Sequence, residues 1–494
     1  MDNKTFFQKV SKRYKHIDSP LSKQESVKYL KSLDNIDNIK GHRFLPLIQF
    51  DITFKKHPKP GKTLNIKKRG ISLVSHHDAG IYALLAEELN KAYNRYSSSK
   101  RISDSSVAYR SDLEKGKKIS NITVAKEVFD FIDRNHDVWI IKGDFEGFFD
   151  NLNHDILNKN VKKVLNLSAS PEKMETWFKV LRSLEKYIYI EKAKLLEQMN
   201  SMNYKYDKKN AYFRSLKDFG SFIKENKFLL HKNKRKGIPQ GTSISAILAN
   251  VYMVDFDRYV CDQMDKFSGI YRRYSDDFII VIPKSKITKL EFSELEKEIH
   301  RICINKTKLK IEKEKTKILS IESGVVTDWY KQEEYFLDYL GFIYQNNSVS
   351  FRGKSIYKFY YRGRKALEAA STAKSTYDIL TNKFDYDYQI NDETAQEVLS
   401  LLTQRKMHKC EKRANLNRIK RVMYHHKAAT GLPELKKYTQ KYLMKIENTS
   451  PRFSFLSYAK IVNDIFNQGE HSYKVMFLHQ ANKVRKRLLK YKWS

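Results

Sequence analysis

Two apolar, β-branched runs that end in carboxylates constrain the fold of this chain more than any other feature. The segment IIKGDFEGFFD places Asp144 at the end of VWIIKGD, and RRYSDDFIIVIP places Asp276 and Asp277 at the tip of two β-patterned arms. Runs of this kind predict one strand and one hairpin whose ends gather acidic oxygens, an arrangement suited to divalent cations. Two Mg²⁺ ions roughly 3.5–4 Å apart lower the pKa of an attacking hydroxyl and neutralise phosphate charge. Mg²⁺ takes hard oxygen ligands, and a triphosphate supplies several of them, so three aspartates suffice. The chemistry implied is two-metal phosphoryl transfer.

The substrate class follows from charge. The chain has 494 residues and 94 Lys and Arg against 57 Asp and Glu, a formal net charge of +37. The excess runs along the whole sequence rather than forming one tail, which suits a polyanion held over a long surface. Lysine richness alone does not account for a pI near 9.7. With 41% apolar and 13% aromatic residues the chain can bury sizeable cores, and its length implies roughly three domains. Cys261, Cys303 and Cys410 are widely separated, which supports neither a disulfide framework nor a zinc knuckle. Apolar runs are as short as FIIVI, and MDNKTFFQKV has no signal-like core, so the expectation is a cytoplasmic protein without a membrane partner.

Along the chain, residues 1–45 read as helical, and Pro58, Pro60 and Gly61 break the pattern. A basic KTLNIKKRG, a β-like ISLVSHH and a helix in AGIYALLAEELNKAY follow, and a second helix, ITVAKEVFDFIDRN, leads into VWIIKGD. Residues 165–236 read as mainly helical. In GIPQGTSISAILANVY, Gly237, Pro239 and Gly241 form a loop, and Thr242 or Ser243 caps a helix that buries Ile244, Ile247, Leu248, Val251 and Tyr252. After the hairpin come a helix near 290–303, a basic strand pair in LKIEKEKTKIL, the segments FLDYLGFIYQ and SVSFRGK, and then helix to the end.

In order and spacing, GDFEGFFD, GIPQGTSISAILAN, YSDD, EKTKI and FLDYLGF resemble the successive palm motifs of reverse transcriptases, and KKRGISLVS and SSVAYR resemble the fingers motifs before them. The resemblance covers roughly residues 60–350 and implies an α+β, helix-rich right-hand polymerase whose palm has a central antiparallel sheet. Its expected parts are an N-terminal helical extension (1–45), fingers (46–140), a palm (141–350), and a helical thumb with a basic C-terminal extension (351–494). Carried over position by position, Asp144 and Asp276 are metal ligands with Asp277 as third carboxylate, and Phe145 joins the metal- and nucleotide-contacting positions. Phe149 matches the aromatic that excludes a ribose 2′-OH, and Gln240 and Gly241 lie at the incoming nucleotide. Tyr274 and Ser275 lie at the primer end; Lys68, Arg69 and Arg110 grip the triphosphate. Lys315, near the leaving pyrophosphate, is a general acid. His154 reads as a packing residue.

The cofactor implied is Mg²⁺, two ions, with Mn²⁺ as substitute. The partners implied are a structured non-coding RNA as template or scaffold, a DNA product or RNA–DNA hybrid, and dNTPs; a homo-oligomer is left open. No second set of spaced acids suggests a ribonuclease H or integrase, and no Cys/His pairs suggest a zinc endonuclease. The resemblance therefore narrows to compact bacterial enzymes related to those of retrons and group II introns, and the long tail points toward the defence-associated groups. Between 401 and 494 there are 22 Lys and Arg against 5 Asp and Glu, with aromatics in RVMYHH, KKYTQKYL and FSFLSY, which suits RNA or hybrid contacts. The spacing of Arg421 and His426 reads as coincidence. Two alternatives stand beside this reading: an RNA-dependent RNA polymerase, disfavoured by Phe149, and a catalytically silent RNA-binding scaffold, disfavoured by the intact aspartates.

Overall fold

A computed structural model describes residues 1–56, 65–110, 120–204, 210–233, 236–364 and 455–490. Pro58, Pro60, Gly61, Cys410, Arg421, His426 and most of the basic tail lie outside the described residues. The chain forms two compact units, one of residues 1–124 and 137–320, the other of 125–136 and 321–494.

The first unit is built on two sheets. Strands β1 (Leu47–Lys56) and β2 (Asn65–Leu73) pair antiparallel over nine residue pairs. Strand β4 (Ile188–Glu191) joins the other side of β1 in parallel, and β5 (His231–Lys232) joins β4, giving the order β2-β1-β4-β5. Segment 165–236 is thus not wholly helical: its two short strands complete a sheet begun 140 residues earlier. Ile48 and Ile190 from this sheet pack with Tyr212, Phe213, Phe219 and Phe222 in one buried cluster.

The second sheet carries the carboxylates. Strand β3 (Val138–Asp144) pairs antiparallel with β7 (Asp277–Pro283), and β6 (Ile270–Tyr274) pairs with the other edge of β7. The strand Lys317–Glu322 flanks β3. Six consecutive residues of β7 are buried, which is why its sequence is a continuous apolar run rather than an alternation. Phe278–Ile282 are each fully buried, so at about 2 kcal/mol per side chain their transfer alone contributes on the order of 10 kcal/mol. That burial holds the register in which Asp144 faces Asp277 across the ladder.

Around the sheets, the helix His76–Ser99 starts earlier than AGIYALL suggests. Ser75 caps it by accepting the Asp78 N–H, and Asp18 accepts the N–H groups of His76 and His77 at 2.9 and 3.0 Å. The N-terminal helices Asn3–Val10 and Lys23–Ser32 pack on this helix, with Phe6 and Tyr29 against Gly80. After the GIPQG loop, a helix Ser245–Tyr252 is followed by a second, Val254–Phe267, before the hairpin begins.

In the second unit, strands Leu337–Tyr339, Phe342–Gln345, Ser348–Phe351 and Lys474–Val475 form one sheet in that order. Phe342 and Phe351 meet Phe477, and Phe342 meets Phe466, on the helices Phe455–Phe466 and Phe477–Lys490. Among the described residues no helix is long and apolar enough to cross a membrane.

Candidate active site

The hairpin tip positions the acids. Tyr274 and Asp277 are ladder partners, so Ser275 and Asp276 form a two-residue turn, with Ser275 in the left-handed region at φ +63°. The Phe145 N–H donates to the Asp276 carbonyl at 3.2 Å, which draws the end of β3 against the turn. Asp144 and Asp276 both line a polar cleft of about 240 Å³. Burial, and then the neighbouring Asp144 carboxylate, raise the pKa of Asp276 above the ordinary aspartate value.

Asp144 has two differently placed oxygens. Its Oδ2 accepts from Lys315 Nζ, while its buried Oδ1 has no hydrogen-bond partner. Burial works against the Lys315 ammonium, but the hydrogen bond and charge of Asp144 outweigh it, so the lysine pKa lies above its usual value. A buried, unpartnered carboxylate oxygen beside a second carboxylate fits a divalent cation bound through hard oxygens. Among the described residues no three His, Cys, Asp or Glu side chains form a metal-binding group, so other ligands would be main-chain oxygen, water or phosphate.

The rest of the cleft is arranged by loops. Phe145 also lines it, but its ring is buried among Phe148, Phe256 and Phe278, which leaves its carbonyl as the polar atom it can offer. Phe149, set edge-on to Phe148, Gln240, Ser275, Lys315 and the exposed pair Lys68 and Arg69 complete the set of expected residues that the structure brings together. The GIPQG loop is stitched to the loop after Asp144: the Gly237 N–H donates to Leu152 O at 2.8 Å and the Ile238 N–H to Phe149 O at 3.0 Å. His154 Nε2, 2.9 Å from Gly237 O, braces the same loop. Gly241 has φ +117°, and a Cβ there would fall 2.5 Å from Ser72 O, so this glycine serves the approach to β2.

Four expected residues lie outside the cleft lining. The Arg110 guanidinium donates to Asn94 Oδ1 at 3.0 Å and to the carbonyls of Ser103 and Ser106, and it lies over the Tyr93 ring. Its donors serve the local fold, and the neighbouring Tyr109 faces the cleft instead, 54% exposed at φ +61°. Asp277 heads β7 opposite Asp144, Gly241 contacts β2, and Tyr274 flanks the turn, where burial and then Tyr109 raise its pKa. Sequence reasoning also missed Asp150, which lines the cleft and lies a long 3.4 Å from Gln240 Nε2. Its signal was its place in GFFD, where Gly147 starts a short turn that returns Asp150 toward Asp144.

A family model described as "Reverse transcriptase (RNA-dependent DNA polymerase)" matches residues 55–344, a span that contains the whole cleft. Among solved structures, the chain is similar to apo telomerase from Candida Tropicalis truncated from its C-terminal domain, at 13% identity and TM-score 0.38, over 66% of this chain and 60% of that one. It is also similar to telomerase from Candida albicans in complex with a TWJ fragment of telomeric RNA, at 14% identity and TM-score 0.34, over 88% of this chain and 66% of that one. The chain thus spans 60% and 66% of the lengths of these two structures. No curated protein matches it.

Proposed function

The chain belongs to the reverse transcriptase family, and from that premise we propose that its cleft joins dNTPs to a DNA strand templated by RNA. The observation that carries this reading is the pairing of Asp144, with its unpartnered buried Oδ1, and Asp276 in one cleft that Lys68 and Arg69 also line. Asp144 and Asp276 would hold the divalent cations, with the Phe145 carbonyl beside them. Bound there, such cations supply activation of the primer hydroxyl and neutralisation of phosphate charge.

The chain's own residues divide the remaining work. Lys68 and Arg69, exposed on β2, meet the triphosphate. Lys315 keeps its proton in the resting cleft and lies where a leaving pyrophosphate would accept one. Phe149 forms the wall that a ribose 2′-OH would meet, and Gln240 holds the nucleotide from the opposite loop. Ser275, in the left-handed turn, sets the primer end against Asp276. Asp277, the ladder partner of Asp144 on β7, is the third carboxylate at this end of the sheet.

The fingers, palm and thumb division at 46–140, 141–350 and 351–494 is part of the same proposal. So is action in antiphage defence with a dedicated non-coding RNA, of which the RNA contact is supported by the basic helix Phe477–Lys490 and the Lys/Arg-rich residues before it. Asp276→Ala in the full chain is expected to abolish dNTP incorporation on a primed RNA template while RNA binding stays within about twofold, since no Lys or Arg that meets the RNA backbone is lost. Undiminished incorporation by that variant refutes the active-site assignment.

A further inference from the structure

One ion pair in the first unit is completely buried and touches the catalytic turn. Arg273 on β6 and Asp257 on the helix Val254–Phe267 are both 0% exposed. The guanidinium engages the carboxylate through two bonds, Nε to Oδ1 at 2.8 Å and Nη2 to Oδ2 at 2.6 Å, and Tyr271 donates a third bond to Oδ1 at 2.8 Å. The remaining Arg273 nitrogen, Nη1, donates to Ser275 O at 3.0 Å and to Asn250 Oδ1 at 3.3 Å.

These contacts converge on the cleft from two sides. Ser275 immediately precedes Asp276 and holds φ +63°, a left-handed conformation that a residue with a side chain adopts only at a cost. Asn250 donates to Ala108 O at 2.8 Å, and the Arg273 main chain exchanges bonds with Ser105 O and the Val107 N–H at 2.6 and 3.0 Å. Ala108 immediately precedes Tyr109, the ring that faces the cleft. Burying two charges gains little stability over apolar residues of similar volume, so the pair points to what it holds in place rather than to stability.

We propose that Arg273, charged and oriented by Asp257, is a positioning residue: it clamps the Ser275 carbonyl so that Asp276 meets Asp144, and through Asn250 it ties the Tyr109 segment to the same turn. The inference rests on the polymerase reading above and adds residues that never touch substrate. Without the clamp the left-handed turn relaxes and the Asp276 carboxylate moves, and displacements near 1 Å at such a site cost about 10²-fold in rate.

The test uses the full chain and two variants. Asp257→Leu/Arg273→Met removes both charges together and leaves no buried charge unpaired; Arg273→Lys keeps the positive charge but loses the two-nitrogen fork and the second arm to Ser275. Three quantities are measured: thermal unfolding, Mn²⁺ affinity by electron paramagnetic resonance, and dNTP incorporation on a primed RNA template. For both variants, melting close to wild type, Mn²⁺ binding weakened about tenfold, and kcat lowered about 10²-fold in the double variant, with a smaller change in dNTP KM, are expected. A folded variant whose Mn²⁺ affinity and kcat stay within about threefold of wild type overturns the proposal. Loss of fold in both variants overturns it equally, because the pair would then be a requirement of the fold. If the wild-type chain itself incorporates no dNTP, the polymerase reading fails, and the Mn²⁺ affinities still report on the clamp.

Discussion

Replacing Gly241 by alanine separates the loop that carries Gln240 from the metal side of the cleft. At φ +117° an alanine is strained, and its Cβ would lie 2.5 Å from Ser72 O, a main-chain atom that cannot swing aside as a flexible side chain would. The Ser72 N–H also donates to Gln240 O at 2.9 Å, so relieving the clash lengthens that bond. Backbone strain of about 1–2 kcal/mol and a hydrogen bond worth about 1 kcal/mol give a loss of roughly 2–3 kcal/mol. For a unit of this size that corresponds to a fall in Tm of roughly 3–5 °C. Because the loop can move instead of the unit unfolding, part of the cost appears as displacement of Gln240. Gly241→Ala should therefore raise dNTP KM about tenfold in a primer-extension assay, while Mn²⁺ affinity at Asp144 and Asp276 stays unchanged. Wild-type melting together with wild-type KM would refute the close approach of loop and strand. Weakened Mn²⁺ binding would refute the separation of the two sides.

Two further outcomes follow from named side chains. Phe149→Ala, which shortens the wall without touching a carboxylate, should raise ATP incorporation relative to dATP by about tenfold or more; an unchanged ratio in a competition assay returns Phe149 to a packing role. His76 is fully buried and stacked on Tyr14 at 4.6 Å, and burial lowers its pKa to about 4, against 6.5 for the free side chain. The unfolded chain therefore binds the proton first, and stability falls as pH drops from about 6.5 toward 4, by at most about 3 kcal/mol. His76→Phe should flatten that part of the melting-temperature profile between pH 7 and 4.5, and an unchanged profile rules His76 out as its source.

The parts of the fold legible in the sequence were those whose signal is local. Strand β7 announced itself because burial on both faces demands uninterrupted apolar residues, and the turn at Ser275–Asp276 followed from the two β-patterned arms around it. The two-residue strand at His231 had no such signal, since it exists only because Tyr189 offers it a partner. The start of the helix at His76 was obscured by ISLVSHH, whose β-like pattern runs past the Ser75 cap. The local partners of Arg110 were hidden for a related reason: a guanidinium in a fingers-like motif reads the same in sequence whether or not it also bonds the carbonyls of Ser103 and Ser106.

The pair Asp276–Asp277 shows what was present in the letters but easily passed over. Neighbouring residues of an extended segment leave it on opposite sides, so two adjacent aspartates reach one cleft only if the turn between strands reverses that alternation. Asp277 is paired with Tyr274 and with Asp144 in the ladder, which sets its side chain on the same face as that of Asp144, while Asp276 lines the cleft from the turn itself. The acid set then depends on how firmly a two-residue turn is held, and no local pattern in RRYSDD reveals that the holding group is Arg273, charged opposite an aspartate on another element. A catalytic acid in a turn gains from such a long-range anchor, because past the ladder pair of Asp144 and Asp277 the strand holds Asp276 through the Phe145 N–H bond to its carbonyl rather than through a ladder pair.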